Sequence, residues 1–210
     1  MVKTKPKGAT SYKETAFGII PRSKLIQLEL EGTKRGLEYI DELTRKGKSN
    51  ITPELICKLH QISFGWIFPE WAGKYRKIQV TFSGKEAPLY YQVSELITNL
   101  CNDLEERLKH LPKPDEESFI IKVVELLAWF QHRFVFIHPF QDYNGRTARI
   151  LTTLILLQLN LPPIEIKAET GADRKRYLQS MQKADEEDYS SLEMLINNAL
   201  SESLEKIKAS

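Results

Sequence analysis

Apolar residues recur at intervals of three and four along most of this 210-residue chain. That spacing places them on one face of an α-helix, so it indicates a chiefly helical fold. One segment behaves differently, because Ile78, Val80 and Phe82 alternate with polar residues ahead of the turn signal Ser83-Gly84-Lys85. Alternation followed by a glycine turn predicts a β-hairpin. The sequence therefore predicts an all-α bundle that carries one β-hairpin.

Capping residues and prolines divide the apolar pattern into separate helices. Thr52 followed by Pro53 is typical of a helix start, and Pro112 and Pro114 end a helix. The expected helices cover approximately residues 22–45, 53–64, 94–111, 119–137, 144–161, 174–184 and 189–207. The polar residues 1–21 are predicted to form a mobile segment ahead of a single domain, 22–207.

Composition narrows the class of protein. The chain has 30 Lys and Arg against 28 Asp and Glu, mixed along its length, which argues against a nucleic-acid-binding surface made by net charge. Cys57 and Cys101 lie in helical apolar patterns, as expected for buried thiols of a reducing compartment. No signal-peptide pattern is found, and the longest nearly apolar run, Ile150–Leu159, is about half the length of a membrane span. We expect a cytoplasmic protein that binds neither nucleic acid nor a membrane.

One loop and the helix start after it carry most of the chemistry. Pro139 disfavours helical backbone at the residue before it, so the long apolar helix should end at His138 and leave that imidazole in a loop. The next helix should begin near Asn144, where free N–H groups and the positive end of the helix dipole form an anion site. Arg146 and Arg149, three residues apart, share one face of its first turns.

This set of groups suits a phosphate-bearing ligand with a divalent cation. Asp142 would hold the metal, because Mg²⁺ is usually bound through one or two carboxylates and phosphate oxygens. The residues alone leave two other classes open. In a phosphohydrolase or other metal-dependent hydrolase, His138 and Asp142 would be ligands, although Pro139 breaks the helical geometry that would place both on one metal. In a binding module without turnover, Tyr143 would fill the anion site.

The loop resembles the signature of the Fic domain family, HPFxxGNGRxxR with an acidic residue before the first glycine. The matching residues are His138, Pro139, Phe140, Asp142, Asn144, Gly145, Arg146 and Arg149. Tyr143 stands where the family usually has glycine. The resemblance continues through Trp71–Arg76, similar to the approach to the family's flap hairpin, and covers roughly residues 25–200. It implies a Fic-like helical bundle with a β-hairpin flap.

The resemblance also implies an activity, the transfer of AMP from ATP, with Mg²⁺, to a Ser, Thr or Tyr hydroxyl of a target protein. His138 would take the proton of that hydroxyl, Asp142 would orient Mg²⁺, and the target would lie along the flap by strand addition. Contacts to the nucleotide and its phosphates would come from Val80, Thr81, Phe82, Ser83, Asn144, Gly145, Arg146, Arg149 and Tyr177. A phosphotransferase is disfavoured, because that branch of the family carries Lys at the position of Gly145.

Glu31-Gly32 is similar to the family's inhibitory motif, [S/T]xxxE[G/N], with Gln27 at the Ser/Thr position. The resemblance implies that Glu31 pairs with Arg149 and withholds that guanidinium from the γ-phosphate. In some relatives the same glutamate is linked to removal of AMP from a modified protein, so de-AMPylation is the alternative reaction. The sequence is compatible with a monomer or a homo-oligomer.

Residues outside the motif have simpler interpretations. His132 in the long apolar helix is predicted to be a hydrogen-bonded core residue. The aromatic cluster Trp66, Phe68 and Trp71 is predicted to pack in the core beneath the β-hairpin rather than to form a ligand cage. For Tyr177, packing on the core and contact with adenine both stay open. Asp185 stands where some relatives have an Asn that faces the base.

Overall fold

The computed structural model describes residues 12–47, 50–168 and 171–208. Within these ranges the chain forms the helices α1 (Arg22–Arg45), α2 (Pro53–Phe64), α3 (Val93–Lys109), α4 (Phe119–Ile137), α5 (Asn144–Gln158), α6 (Gly171–Ala184) and α7 (Ser190–Lys208). Two short antiparallel hairpins accompany them, β1 (Tyr12–Thr15) with β2 (Gly18–Pro21) and β3 (Thr81–Phe82) with β4 (Lys85–Glu86). The predicted helical class with a flap hairpin is confirmed.

Helix α4 is the centre of the main core. Its residues Val123, Leu127, Phe130 and Phe134 are fully buried, and the helix packs against α3, α5 and α7. Because both α4 and α5 are fixed by this core, the loop that joins them is held between two rigid elements. Across the helices that the structure describes, none combines the length and apolar composition needed to cross a bilayer.

A second, smaller core cluster lies against α1 and α2. Leu25, Phe64, Phe68 and Tyr143 are buried in it, and Trp66 and Trp71 pack against it as partly buried side chains. The prediction that the tryptophans and Phe68 belong to the core is confirmed, but their described partners come from α1, α2, β2 and the α4–α5 loop rather than from the flap hairpin. The cluster brings α1 next to the α4–α5 loop, because Tyr143 of that loop is one of its members.

The close approach of α1 to α2 depends on two glycines. A Cβ atom on Gly32 would collide with the backbone carbonyl of Ser63, and one on Gly36 would collide with the Ser63 hydroxyl and lie 2.9 Å from a methyl group of Ile150. A backbone carbonyl cannot rotate away, so Gly32 is the stricter requirement. These glycines set how deeply the neighbouring residues of α1 enter the site described below.

We expect Gly32→Ala to lower the free energy of unfolding by about 1–2 kcal/mol, because the overpacking penalty exceeds the gain of about 1 kcal/mol in helix propensity. Chemical denaturation measures this difference. Lys34→Ala, on the exposed face of the same helix, is the control and should change the free energy of unfolding by less than about 0.5 kcal/mol. A stability of Gly32→Ala equal to or above wild type would show that α1 and α2 are not so closely packed.

The start of the chain differs from the sequence prediction. Residues 1–11 lie outside the described residues, but residues 12–21, expected to belong to a mobile segment, form the β1–β2 hairpin. Gly18 takes a positive φ of 83° in the turn, and the Ala16 N–H donates to the Ile67 carbonyl at 2.8 Å. This hairpin was not predicted because it is held by partners about fifty residues away and has no clear alternation of its own.

Candidate active site

A pocket of about 360 Å³ opens where α1, α5, α6 and the β3–β4 flap meet. Most of the residues predicted for the site line it together, namely Phe82, Ser83, His138, Asp142, Asn144, Gly145, Arg146, Arg149 and Tyr177. The described lining does not include Val80, Thr81 or Glu31. It adds residues that sequence reasoning missed, among them Arg22, Glu29 and Arg174.

The pocket is built to receive negative charge. Two helices begin at it, α1 with Arg22 and α5 with Asn144, and α6 contributes Arg174 from its first turn. Arg146 and Arg149 project from α5, as the spacing predicted. Helix N-termini offer free N–H groups, and guanidinium groups bind phosphate in a bidentate manner. This concentration of donors fits a polyphosphate better than an uncharged ligand.

His138 ends α4 in a left-handed backbone conformation, with φ of 51°. Its ring atom Nδ1 lies 3.1 Å from the Val135 carbonyl, which can only accept, so Nδ1 carries the proton and Nε2 keeps its lone pair. The Phe82 ring stacks on the imidazole at a centroid distance of 4.4 Å. Burial, helped by the nearby charge of Arg76, lowers the pKa of His138, while the hydrogen bond to Val135 and the charge of Asp142 oppose the shift. The imidazole is therefore suited to accept a proton at Nε2.

Asn144 lines the pocket, and its side chain also fixes the loop. Its side chain is buried, and it bonds reciprocally with the backbone of Phe140: Oδ1 accepts from the N–H at 2.8 Å and Nδ2 donates to the carbonyl at 2.9 Å. These bonds close the loop onto the first turn of α5.

His60 of α2, which had no predicted role, holds the same loop from the other side. The Gly73 N–H donates to its Nδ1 at 2.9 Å, so Nε2 carries the proton and donates to the Asp142 carbonyl at 3.2 Å. The His60 ring stacks on Phe140 at 3.8 Å, and burial lowers its pKa to about 4. His60 is thus neutral near pH 7 and positions Asp142.

The Tyr143 side chain does not fill the anion site. Its ring stacks on Phe64 at 4.3 Å within the second core cluster, and the residue forms part of the pocket wall. The hydroxyl donates to Oε1 of Glu29 at 2.9 Å. Burial, together with the charge of Glu29, raises the pKa of this phenol, so it stays protonated as a donor.

Glu29, and not Glu31, is the carboxylate of α1 that reaches the pocket. Glu29 is 1% exposed; Arg22 donates to its Oε1 at 2.6 Å, and Arg146 lies 3.1 Å from its Oε2. Glu31 is half-exposed and, in the described part of the chain, forms its ion pair with Arg35 at 3.1 Å. The expected pair of Glu31 with Arg149 is not formed, because two residues along a helix turn the side chain by about 200°.

Tyr177 combines the two interpretations that its sequence left open. It is buried, and its hydroxyl accepts from the Gln131 amide at 2.8 Å within the core, yet part of its side chain lines the pocket beside Phe82. His132 is a hydrogen-bonded core residue, as predicted, and bonds to Asp185 at 2.9 Å. Asp185 is thus engaged by protein groups.

A divalent cation would have one evident carboxylate beside the anion site. Asp142 lines the pocket, and its Oδ1 accepts from the Tyr143 N–H at 2.7 Å. No group of three or more His, Cys, Asp or Glu side chains that could hold a metal occurs among the described residues. This donor set fits Mg²⁺ that arrives with phosphate oxygens, because such a metal needs only one or two carboxylates from the protein.

Comparison with known proteins agrees with this geometry. The family model described as "Fic/DOC family" matches residues 50–156, which is half of the chain. The chain is 31% identical over 172 residues to a "Protein adenylyltransferase Fic" of Nematostella vectensis, covering 82% of this chain and 38% of that protein. It is 30% identical over 146 residues to "Protein adenylyltransferase fic-1" of Caenorhabditis elegans, covering 69% and 27%. The chain thus spans well under half the length of these relatives.

Solved structures show the same fold. A structure of Fic-1 from C. elegans has a TM-score of 0.66 at 25% identity and covers 86% of this chain and 52% of that chain. A Fic domain-containing signaling protein from Bacteroides thetaiotaomicron has a TM-score of 0.69 at 23% identity, covering 84% and 69%. The helical arrangement, the loop between α4 and α5 and the family match agree, and the chain belongs to the Fic/DOC family.

Proposed function

We propose that this chain transfers the AMP group of ATP to a hydroxyl group of a target protein. The observation that carries the proposal is the position of His138, which lines a pocket rich in guanidinium groups and keeps the lone pair of Nε2 available. A general base beside a phosphate site is the arrangement that nucleotidyl transfer requires. The curated relatives named protein adenylyltransferases support the same reaction.

In the proposed reaction, Nε2 of His138 takes the proton of the target hydroxyl as its oxygen attacks the α-phosphorus. The bond between the α-phosphorus and the bridging oxygen breaks, and diphosphate leaves with that electron pair. Arg146 and the N–H groups at the start of α5 stabilise the charge that develops on the phosphates. Asp142 would hold Mg²⁺, which when bound neutralises part of the phosphate charge.

The flap offers an edge for the target segment. Strand β3 pairs with β4 along one side, and Phe82 at its end lies on the imidazole of His138. An extended target segment added to β3 would be aligned by main-chain hydrogen bonds, which set its register without demanding a particular sequence. A hydroxyl-bearing side chain of that segment would then face Nε2.

Glu29 would inhibit AMP transfer. Its carboxylate pairs with Arg22 and Arg146, two of the guanidinium groups that line the phosphate pocket. A buried carboxylate is stable only while it is paired, so Glu29 competes with phosphate for these cations. The exposed Glu31–Arg35 pair is worth little in comparison. Inhibition by a carboxylate of α1 was predicted from the sequence, but the geometry favours Glu29 as that residue.

Isothermal titration with Mg-ATP tests whether the pocket is a nucleotide site. We expect wild-type protein to bind weakly and Glu29→Gln to bind about tenfold more tightly, because the neutral amide keeps a polar partner for Tyr143 and releases the arginines. Arg146→Gln in the Glu29→Gln background should remove most of the gain. If none of the three proteins gives a binding heat with Mg-ATP, the proposal is contradicted, because that result is expected for a domain that does not bind nucleotides.

A further inference from the structure

The flap hairpin is too short to fix its own position. Strands β3 and β4 share two residue pairs, Thr81 with Glu86 and Phe82 with Lys85, around a turn in which Ser83 and Gly84 have positive φ. An isolated two-stranded hairpin is marginally stable even when it is longer. The position of Phe82 over the imidazole must therefore come from contacts between the flap and the helices.

The base of the flap is held by Arg76, a buried guanidinium. It donates to the carbonyl of Ile78 at 3.0 Å, to that of Pro88 at 2.5 Å and to that of His138 at 2.8 Å. One side chain thus joins both ends of the flap to the end of α4. These hydrogen bonds do not reach the tip of the flap, the turn at Ser83-Gly84, because Gly84 lies six residues after Ile78.

The tip is held by Lys85. Its ammonium group forms an ion pair with Asp185, directly after α6, and lies 5.1 Å from the ring centroid of Phe82 and 5.6 Å from that of Phe136. Asp185 is fixed in turn, because its Oδ1 bonds to Nε2 of His132 on α4 at 2.9 Å. The side chains of Lys85 and Asp185 are 32% and 23% exposed, so water screens the pair less than a surface ion pair.

Phe82 connects the contacts of Lys85 with the imidazole of His138. Lys85 is the strand partner of Phe82, and the Phe82 ring lies nearly parallel to that of His138, with an interplanar angle of 13°. Between the flap tip and α6 lies a small apolar cavity of about 40 Å³, lined in part by Phe82 and Met181. With space beneath it, the ring could shift if the ion pair were lost.

We infer that Asp185 is a positioning residue, which through Lys85 keeps Phe82 stacked on His138. The functional meaning of this contact rests on the proposed role of His138 as general base, since a fixed imidazole keeps Nε2 aimed at the target hydroxyl. The structural claim can be tested on the full chain without nucleotide or target. Failure of the transfer reaction would therefore not be confused with failure of this inference.

The test measures the stacking by NMR. The Phe82 ring should shift the His138 ring protons upfield, and Phe82→Leu gives the value without stacking. We expect Asp185→Asn and Lys85→Met each to move the His138 signals toward that value. Each should also speed hydrogen exchange of the Ala87 N–H, which donates to the Val80 carbonyl, about fivefold.

A double-mutant cycle separates a direct interaction from two independent effects. Because the two residues act as one pair, Lys85→Met/Asp185→Asn should change both signals no more than either single variant. Lys77→Gln, which removes an exposed charge just before the flap, is the control and should match wild type. Single variants that keep wild-type shifts and exchange rates would overturn the inference. So would a double variant whose shift change is the sum of the two single changes and whose exchange rate rises by the product of the two single factors.

Discussion

Replacing His138 with Ala should lower the rate of AMP transfer by a factor of about 10²–10⁴, the usual contribution of a general base. Affinity for Mg-ATP should stay within about twofold of wild type, because in the proposed binding mode the phosphates would contact the start of α5 and the arginines rather than the imidazole. Transfer of α-labelled phosphate measures the rate, and titration measures the affinity. Transfer at the wild-type rate would contradict the assignment of the base.

The pH profile of the wild-type chain tests the same assignment. A base must be deprotonated to act, so the transfer rate should rise with pH through the pKa of His138 and then level off. Burial lowers that pKa, so the midpoint of the rise should fall below the ordinary value of 6.5. A midpoint well above 6.5 would point to another group, such as one on the target.

Replacing Glu29 with Gln should raise the rate of AMP transfer about tenfold or more. The substitution removes the charge that pairs with Arg22 and Arg146 and preserves the size of the side chain. Both guanidinium groups then become available to phosphate, so ATP can bind with its α-phosphorus in line with the attacking hydroxyl. Initial rates of label transfer at saturating Mg-ATP provide the measurement.

Glu31→Gln is the matched control, because it makes the same chemical change two residues away on the same helix. Its only described ion pair is the exposed one with Arg35, so we expect a rate within about twofold of wild type. The reverse result, with Glu31→Gln activating and Glu29→Gln inert, would show that α1 turns its other face to the site when nucleotide is present. The inhibitory residue would then be Glu31, as the sequence motif implies.

Local signals in the sequence predicted the scaffold of the site well. Pro139 ends α4 at the expected residue, and α5 begins at Asn144, because both boundaries depend on neighbours in the chain. The spacing of Arg146 and Arg149 placed both side chains in one pocket for the same reason. Elements with strong short-range determinants are those that a single sequence predicts best.

Features that depend on distant contacts were missed or misplaced. The inward face of α1 is the clearest case, since motif resemblance pointed to Glu31 while packing turns Glu29 inward. A signal was present, because the buried positions of α1 are Leu25, Glu29, Gly32, Gly36 and Ile40, a regular stripe in which Glu29 is the only charged member. A charged residue within a stripe of glycines and apolar residues indicates a buried carboxylate with a partner from elsewhere.

Tyr143 and Asn144 show the same limit at the motif itself. Tyr143 could have filled the anion site, but its ring instead stacks on Phe64. The local sequence does not indicate that there is room for the ring beside Phe64. Asn144 uses its side chain to close the loop onto α5. The motif thus predicted which residues lie together at the site. The contacts that each side chain makes there depend on three-dimensional packing.

Transfer of the AMP group is tested by comparing ATP labelled at the α-phosphate with ATP labelled at the γ-phosphate. Each is incubated with the Glu29→Gln chain and a cell lysate, and label that survives denaturation on protein is counted. We expect covalent label from the α-position above the background of lysate alone, no label from the γ-position above that background, and neither when the His138→Ala substitution is added to that chain. Label from the γ-phosphate above that background, or α-label above it that persists without His138, would contradict the proposed reaction.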